Sequence, residues 1–360
     1  MSTYKGIFGK TIKHLSSDPD NLTYEGQIWY NTTEGKFKTV VATAAWSSGA
    51  NSIVSPKAGG TGAGIQTAAF AANGGPNGGN STEEYNGSGW STSANTPYPS
   101  TSNAAGSRAY GTQTAGALFG GFNSTNTTYV EYNGSTWTAG TSFTTVRGNS
   151  HGYGTLTAGM IMGGDTDGQP TTGLLQDTQE YNGTTWTTVN NSNNLRYGGG
   201  YTGTQTSAIV FGGDVGPISP TATATNKTEE YDGTTWTNES NLPKATRYPG
   251  GNGASSTAVI GFGGSSPPST NLTETNNYNG TSWTASSATL ANATTAAGRL
   301  TGSTDSAGLM ALVGPGGNST EEYNFTANTV TAAAWSSGTA APVGTSGQGM
   351  AGNKTGAMMW

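Results

Sequence analysis

The chain contains no cysteine in 360 residues, which excludes disulfides, thiolate metal ligands and thiol nucleophiles and leaves the redox compartment open. Histidine is nearly as scarce. His14 and His151 stand alone and far apart, so a zinc site lacks ligands, and a Ser-His-Asp triad would have to use one of these two. Charged residues make up only 9% of the chain and the net charge is −6. That balance argues against nucleic acid and anionic membranes as partners, because neutralising phosphates requires a basic surface. No apolar run approaches the roughly 20 residues that cross a bilayer, so no membrane insertion is expected. The opening Met1-Ser-Thr-Tyr-Lys-Gly-Ile-Phe8 has no apolar signal core, and synthesis in a cytoplasm without export is the expectation.

What is present is periodic. Tyrosines at 85, 132, 181, 231, 278 and 323 recur at spacings of 47, 49, 50, 47 and 45, three of them within Tyr-Asn-Gly-x-x-Trp-Thr and two more within close variants of it. Each follows an apolar run, such as Thr206-Ser-Ala-Ile-Val-Phe211 or Thr257-Ala-Val-Ile-Gly-Phe262. A period of about 40–50 residues is that of a four-stranded propeller blade. Thr355-Gly-Ala-Met-Met-Trp360 reads as a further first half, and Gly26–Thr39 as a second half without a first. Joining them predicts an all-β, seven-bladed propeller over 26–360. Its closing blade takes inner strands from the C-terminus and outer strands from the N-terminus, with residues 1–25 as an arm. The string Ala-Ala-Trp-Ser-Ser-Gly occurs at both 44–49 and 333–338, which suggests neighbouring units.

Asn-Gly between strands predicts a two-residue type I′ hairpin. In that register Tyr181 faces Thr184, and Trp186 lies diagonally beside Tyr181. Recurrence of the aromatics in nearly every unit points to packing between blades, not to a sugar-stacking platform. The pairs Glu83-Glu84, Glu229-Glu230 and Glu321-Glu322 recur in the same way and read as strand residues. Asp165 and Asp214 follow Gly-Gly in neighbouring units, and Gly164-Asp-Thr-Asp167-Gly168 has spaced oxygens of the kind that suit Ca²⁺. It lacks a later bidentate Glu, and an Asx turn is the plainer reading; no cofactor or metal is expected.

The candidate ligand site is basic. Lys57, Arg147, Arg196 and Arg247 each stand ten residues before the Thr that opens an apolar run, while Arg108 and Arg299 fall out of that register. Equivalent positions form a ring at one mouth of a central channel, suited to an acidic glycan or a carboxylate. Tyr197 and Tyr248 beside two of the arginines add stacking surface. The competing reading is that these arginines cap carbonyls between blades.

Two stretches carry resemblances to known families. Leu242-Pro-Lys-Ala-Thr-Arg247, Ala258-Val-Ile-Gly-Phe-Gly-Gly264 and Tyr278-Asn-Gly-Thr-Ser-Trp283 resemble Kelch blades, which implies a propeller and little about function. Copper oxidation of the kind carried on such scaffolds needs a Cys that this chain lacks. Ile12-Lys-His-Leu-Ser-Ser-Asp-Pro19 and Glu25-Gly-Gln-Ile-Trp-Tyr-Asn-Thr-Thr-Glu-Gly-Lys-Phe-Lys38 resemble tail-fibre and other virion proteins of bacteriophages, marine cyanophages among them. That resemblance implies a non-enzymatic structural protein on the virion exterior, a tail appendage or decoration module. Its arm would dock to other virion proteins and its propeller would bind host surface polysaccharide. The alternative is a carbohydrate-active depolymerase or a lectin-like propeller.

Overall fold

The computed structural model describes residues 13–17, 28–54, 60–74, 79–98, 106–121, 127–166, 173–215, 223–268, 270–293, 299–301, 304–313, 318–331, 350–351 and 358–359. Among them every regular element is a strand, and none is a helix that could cross a membrane. The chain divides into two compact units, Met1–Ala42 with Ala327–Trp360, and Thr43–Thr326. The expected boundary near residue 25 lies outside the described residues.

In the first unit, Lys13–Leu15 pairs in parallel with Ile28–Asn31, which pairs antiparallel with the start of Lys36–Gly49. Asn31 builds the connecting turn. Its Oδ1 accepts the Thr33 and Glu34 amides at 3.0 and 2.9 Å, so Tyr30 lies directly opposite Phe37. Met350–Ala351 pairs with Met358–Met359.

The second unit is a succession of four-stranded antiparallel sheets, an arrangement of the propeller kind. Sheet one comprises Thr61–Ile65, Ala68–Ala72, Thr82–Tyr85 and Trp90–Ser93. Sheet two comprises Arg108–Thr112, Ala115–Phe119, Tyr129–Tyr132 and Trp137–Ala139. Sheet three runs from His151–Thr155 to Trp186–Val189, sheet four from Gly200–Thr204 to Trp236–Glu239, and sheet five from Gly250–Ser255 to Trp283–Ala285. Sheet six contains Ala307–Val313, Ser319–Thr331 and, outermost, the end of Lys36–Gly49.

The first strand of each sheet lies beside the first strand of the next. Arg299–Thr301, just before sheet six, pairs in parallel with Thr61–Ala63 of sheet one. Arg299–Thr301 thus lies directly beside the first strand of sheet one. The strand expected at 355–360 lies outside the described residues apart from Met358–Met359.

Side chains trace the same circuit. In most sheets the Trp that opens the fourth strand donates to a Thr of the preceding sheet's third strand, at its opening (Thr82, Thr228) or further inside it (Thr178, Thr320). Trp137 Nε1 reaches Thr82, Trp236 Thr178, Trp283 Thr228 and Trp90 Thr320, all at 2.9–3.0 Å. Trp46 completes the set by reaching Thr275 at 2.8 Å, so the N-terminal copy of Ala-Ala-Trp-Ser-Ser-Gly supplies the outer strand of sheet six. Sheet two has Tyr129 in place of the Thr, and Trp186 turns to the Thr141 carbonyl instead. Six buried clusters fill the junctions, for example Met160, Met162, Tyr201 and Val210 between sheets three and four.

Sheet six differs because its tyrosine is followed by Asn324-Phe325. Other sheets have a glycine two residues after the tyrosine, with φ near +87° to +92° at Gly87, Gly134, Gly183 and Gly233. Without it no hairpin forms, and Ser319–Thr331 runs on as one strand.

The hairpins also correct the predicted register. Tyr181 lies directly opposite Trp186, and Gln179 opposite Thr188. The loop is four residues long because Asn182 does not adopt positive φ. Its Oδ1 instead accepts the Thr184 and Thr185 amides, both at 2.9 Å. Asp232 does the same at 2.8 Å. Tyr181 and Trp186 stack with centroids 4.8 Å apart.

Candidate functional site

The expected ring of basic residues separates into three groups. Lys57 lies outside the described residues. Arg147 and Arg196 are fully buried and bind carbonyls and acids. Arg147 donates to Gly163 O at 3.1 Å and to Asp177 at 2.5 Å, and Arg196 to Gly212 O and, at 3.1 Å, to Glu229. Burial holds both guanidiniums below their ordinary pKa, and the acids counter this. They join the loops that enter each sheet to the strands beneath.

Arg247 has the same sequence spacing but a different place. The inner strand of sheet five carries a bulge between Gly253 and Ser255, and the extra residue shifts the register by one. Thr246 therefore occupies the position of Arg147: the Gly213 amide bonds Thr246 O at 2.8 Å, as the Gly121 amide bonds Arg147 O at 3.1 Å. Arg247, set free from that role, pairs through Nε with Asp214 at 2.8 Å. Spacing in sequence hides this, since a bulge leaves no mark when counting from the next threonine.

Beyond these positions a rim forms where the chain enters the inner strands. The Asn149 amide donates to Gly106 O, the Gly198 amide to Asn149 O, and the Tyr248 amide to Gly198 O, at 2.9–3.1 Å. All four residues have φ between +48° and +77°. For Asn this is tolerable; for a tyrosine it costs about 1–3 kcal/mol. The Tyr248 ring lies over Gly198, where a Cβ would come within 2.6 Å of it, and meets Tyr197 edge-on at 5.9 Å. Burial, with Tyr248 and Asp214 alongside, pushes the Tyr197 hydroxyl up, and burial also raises Asp214. Tyr197, Tyr248, Arg247 and Asp214 thus come together on one arc of the rim.

Two residues beyond each rim position an inner strand begins. There stand Arg108, His151, Gly200 and Gly250. His151 is fully buried, with Nδ1 3.0 Å from Met162 O and Nε2 accepting the Gly199 amide at 3.0 Å, a structural bridge. Below them Tyr110, Tyr153 and Tyr201 fill the centre, and Tyr201 reaches Ala109 O two sheets away.

Arg108, which falls outside the ten-residue spacing, belongs to this rim. It is 5% exposed and donates to Ser107 O at 2.7 Å and Asn149 Oδ1 at 2.5 Å. Its Nε has no partner, and it makes no ion pair among the described residues. Asp165 favours its charge only from beyond ion-pair range, and burial lowers its pKa. One signal in the sequence points to it: Arg108 and Arg299 both open inner strands. Among the described residues no three His, Asp or Glu side chains gather to hold a metal, and Asp167 of the suspected Ca²⁺ loop lies outside them.

No protein-family model matches the sequence, and no curated protein matches it. Among solved structures the chain is similar to "Structure of YjhT", with a TM-score of 0.59 and 12% identity over 76% of this chain and 97% of that one. At that identity the likeness is one of fold. It nevertheless overturns the expectation of a non-enzymatic chain, which treats the fold as purely structural. A scaffold shared across nearly all of another protein at 12% identity is one that different sequences equip differently, so that expectation does not stand.

Proposed function

We propose that this protein is a six-bladed, carbohydrate-active or lectin-like propeller that takes an acidic saccharide at its rim. The observation that carries this is the contrast among three buried arginines. Arg147 and Arg196 each have a carboxylate partner, whereas Arg108 has none among the described residues. A buried guanidinium without an anion is costly, and a ligand carboxylate would supply one. Tyr248, held at positive φ beside Tyr197, offers a ring for a sugar face, and Asp214, raised by burial and countered by Arg247, is the rim carboxyl.

The test is calorimetric titration with an oligogalacturonide and with a neutral oligosaccharide of equal length. The wild type should prefer the acidic chain, and Arg108→Gln should lose at least about tenfold in its affinity. Equal affinity for both ligands, or an Arg108→Gln variant that binds as well, defeats the proposal. Release of reducing ends from host polysaccharide, abolished in Asp165→Asn and Asp214→Asn, marks the carbohydrate-active form; binding without release marks the lectin-like form.

The N-terminal resemblance supports placing this propeller on a bacteriophage exterior, with residues 1–25 docking to other virion proteins and host surface polysaccharide as the ligand. Deleting residues 1–20 should reduce incorporation into particles while leaving the propeller folded. Unchanged incorporation would remove the arm from that role.

A further inference from the structure

At four of the six junctions the tyrosine closing a third strand donates to an acid of the preceding sheet. Tyr85 reaches Glu322 and Tyr132 reaches Glu84, both at 2.5 Å; Tyr231 reaches Glu180 at 2.8 Å and Tyr181 reaches Glu131 at 3.3 Å. At the fifth, Tyr278 stands beside Glu230, though its hydroxyl closes no hydrogen bond. Only between sheets five and six is the acid replaced, by Asn277. There the Tyr323 hydroxyl and Asn277 Oδ1 are buried without a hydrogen-bond partner, and Tyr323 itself is 0% exposed. Ser286 and Asn277 stand close enough to the hydroxyl to temper its rise in pKa, yet neither closes a hydrogen bond with it.

A cavity of about 320 Å³ opens at this same junction, lined by Asn277, Tyr278, Thr284, Asp305, Tyr323 and Phe325 among others. Phe325 stands where other sheets carry the hairpin glycine, so its ring adds a wall that those junctions lack. The size falls within the range of small-ligand sites, about 300–1,000 Å³. We infer that this cavity is a binding site for a neutral pyranose unit, separate from the rim and independent of the acidic-saccharide reading. The exposed Asp305 carboxylate accepts hydroxyl protons, Asn277 Oδ1 accepts another, and the Tyr323 hydroxyl both gives and accepts. Phe325 and Tyr278 offer apolar faces to ring C–H groups. Among the described residues no Lys or Arg lines the cavity, which selects against an anionic sugar.

The test uses methyl glucopyranoside, galactopyranoside and mannopyranoside as probes, read by saturation-transfer NMR and titration on the full chain. At least one should bind the wild type. Asn277→Glu rebuilds the tyrosine–acid pair of the other junctions, so it should keep or raise the melting temperature while weakening that glycoside at least about tenfold. Asp305→Ala, an exposed change that does not threaten the fold, should also weaken it. Arg108→Gln should leave it unchanged, which separates this site from the rim. A folded wild type that binds none of the three glycosides overturns the inference. So does undiminished binding by Asn277→Glu, or by Asp305→Ala should the first variant not fold.

Discussion

The junction between sheets three and four and the junction between sheets five and six are built from the same parts in the same order, yet one is closed and the other open. In the first, Trp236 donates to Thr178, packs on Tyr231 with centroids 5.1 Å apart, and leaves the Tyr231 hydroxyl on Glu180. In the second, Trp46 donates to Thr275 and packs against Tyr323 at 5.3 Å, but Asn277 leaves that tyrosine without its acid. The tryptophan layer therefore sets the junction, while the tyrosine–acid layer decides whether it is sealed. A repeat protein can exchange one carboxylate for an amide and gain a cavity without losing its architecture, because each sheet packs mainly on its two neighbours.

The largest effect should come from removing the tryptophan layer. Trp236→Ala takes out a side chain 6% exposed together with its hydrogen bond, and should cost about 3–5 kcal/mol, read as a lower denaturation midpoint. Trp46→Ala should cost less, since Trp46 is only half-buried. A Trp46→Ala change with no effect would mean that the N-terminal strand does not complete sheet six.

The next test converts the closed junction into the open one. Glu180→Asn should strand the Tyr231 hydroxyl and cost about 1–3 kcal/mol. If stability is unchanged, the tyrosine–acid layer is ornamental and the contrast between the junctions teaches little.

How much of the molecule is legible in the sequence depends on what each feature requires. The blades are readable because each needs an apolar strand, a tyrosine and a tryptophan in fixed order, and that order returns every 45–50 residues. The path of the chain after Tyr323 is not, because a Phe stands where a Gly should and the strand runs on in place of a hairpin. The Asn-Gly signal marks the turns correctly but not their length, since Asn182 can serve a turn through its side chain as well as through positive φ. A single bulge in sheet five misplaces Arg247, and Arg108 breaks a spacing that follows the structural arginines, not the rim. Burial and pairing, the properties that distinguish Arg108 from Arg147, arise only when distant segments meet.

A pH series sharpens the comparison without altering packing. Burial raises the Glu230 carboxyl above its ordinary value, with the Tyr278 hydroxyl opposing that shift. A carboxyl raised on folding favours the native state at low pH, and that contribution is lost as pH climbs from the ordinary glutamate range through the raised value. Relative to Glu230→Gln, the wild type should therefore lose melting temperature over that window. Parallel melting curves at every pH would show that the junction between sheets four and five does not restrain its acid.

The smallest effect is expected at the open junction itself. Tyr323→Phe deletes a buried hydroxyl that has no partner, and removing an unsatisfied polar group from an interior is neutral or mildly favourable. The change in stability should stay within about 0.5 kcal/mol, whereas Tyr231→Phe, which abandons a hydrogen bond to Glu180, should be clearly destabilising. The pair of substitutions is chemically identical, so packing area cancels and only the partner differs. Equal losses at the two sites would mean that Tyr323 is satisfied after all, and the junction between sheets five and six would then be closed by a bond equivalent to those of its neighbours.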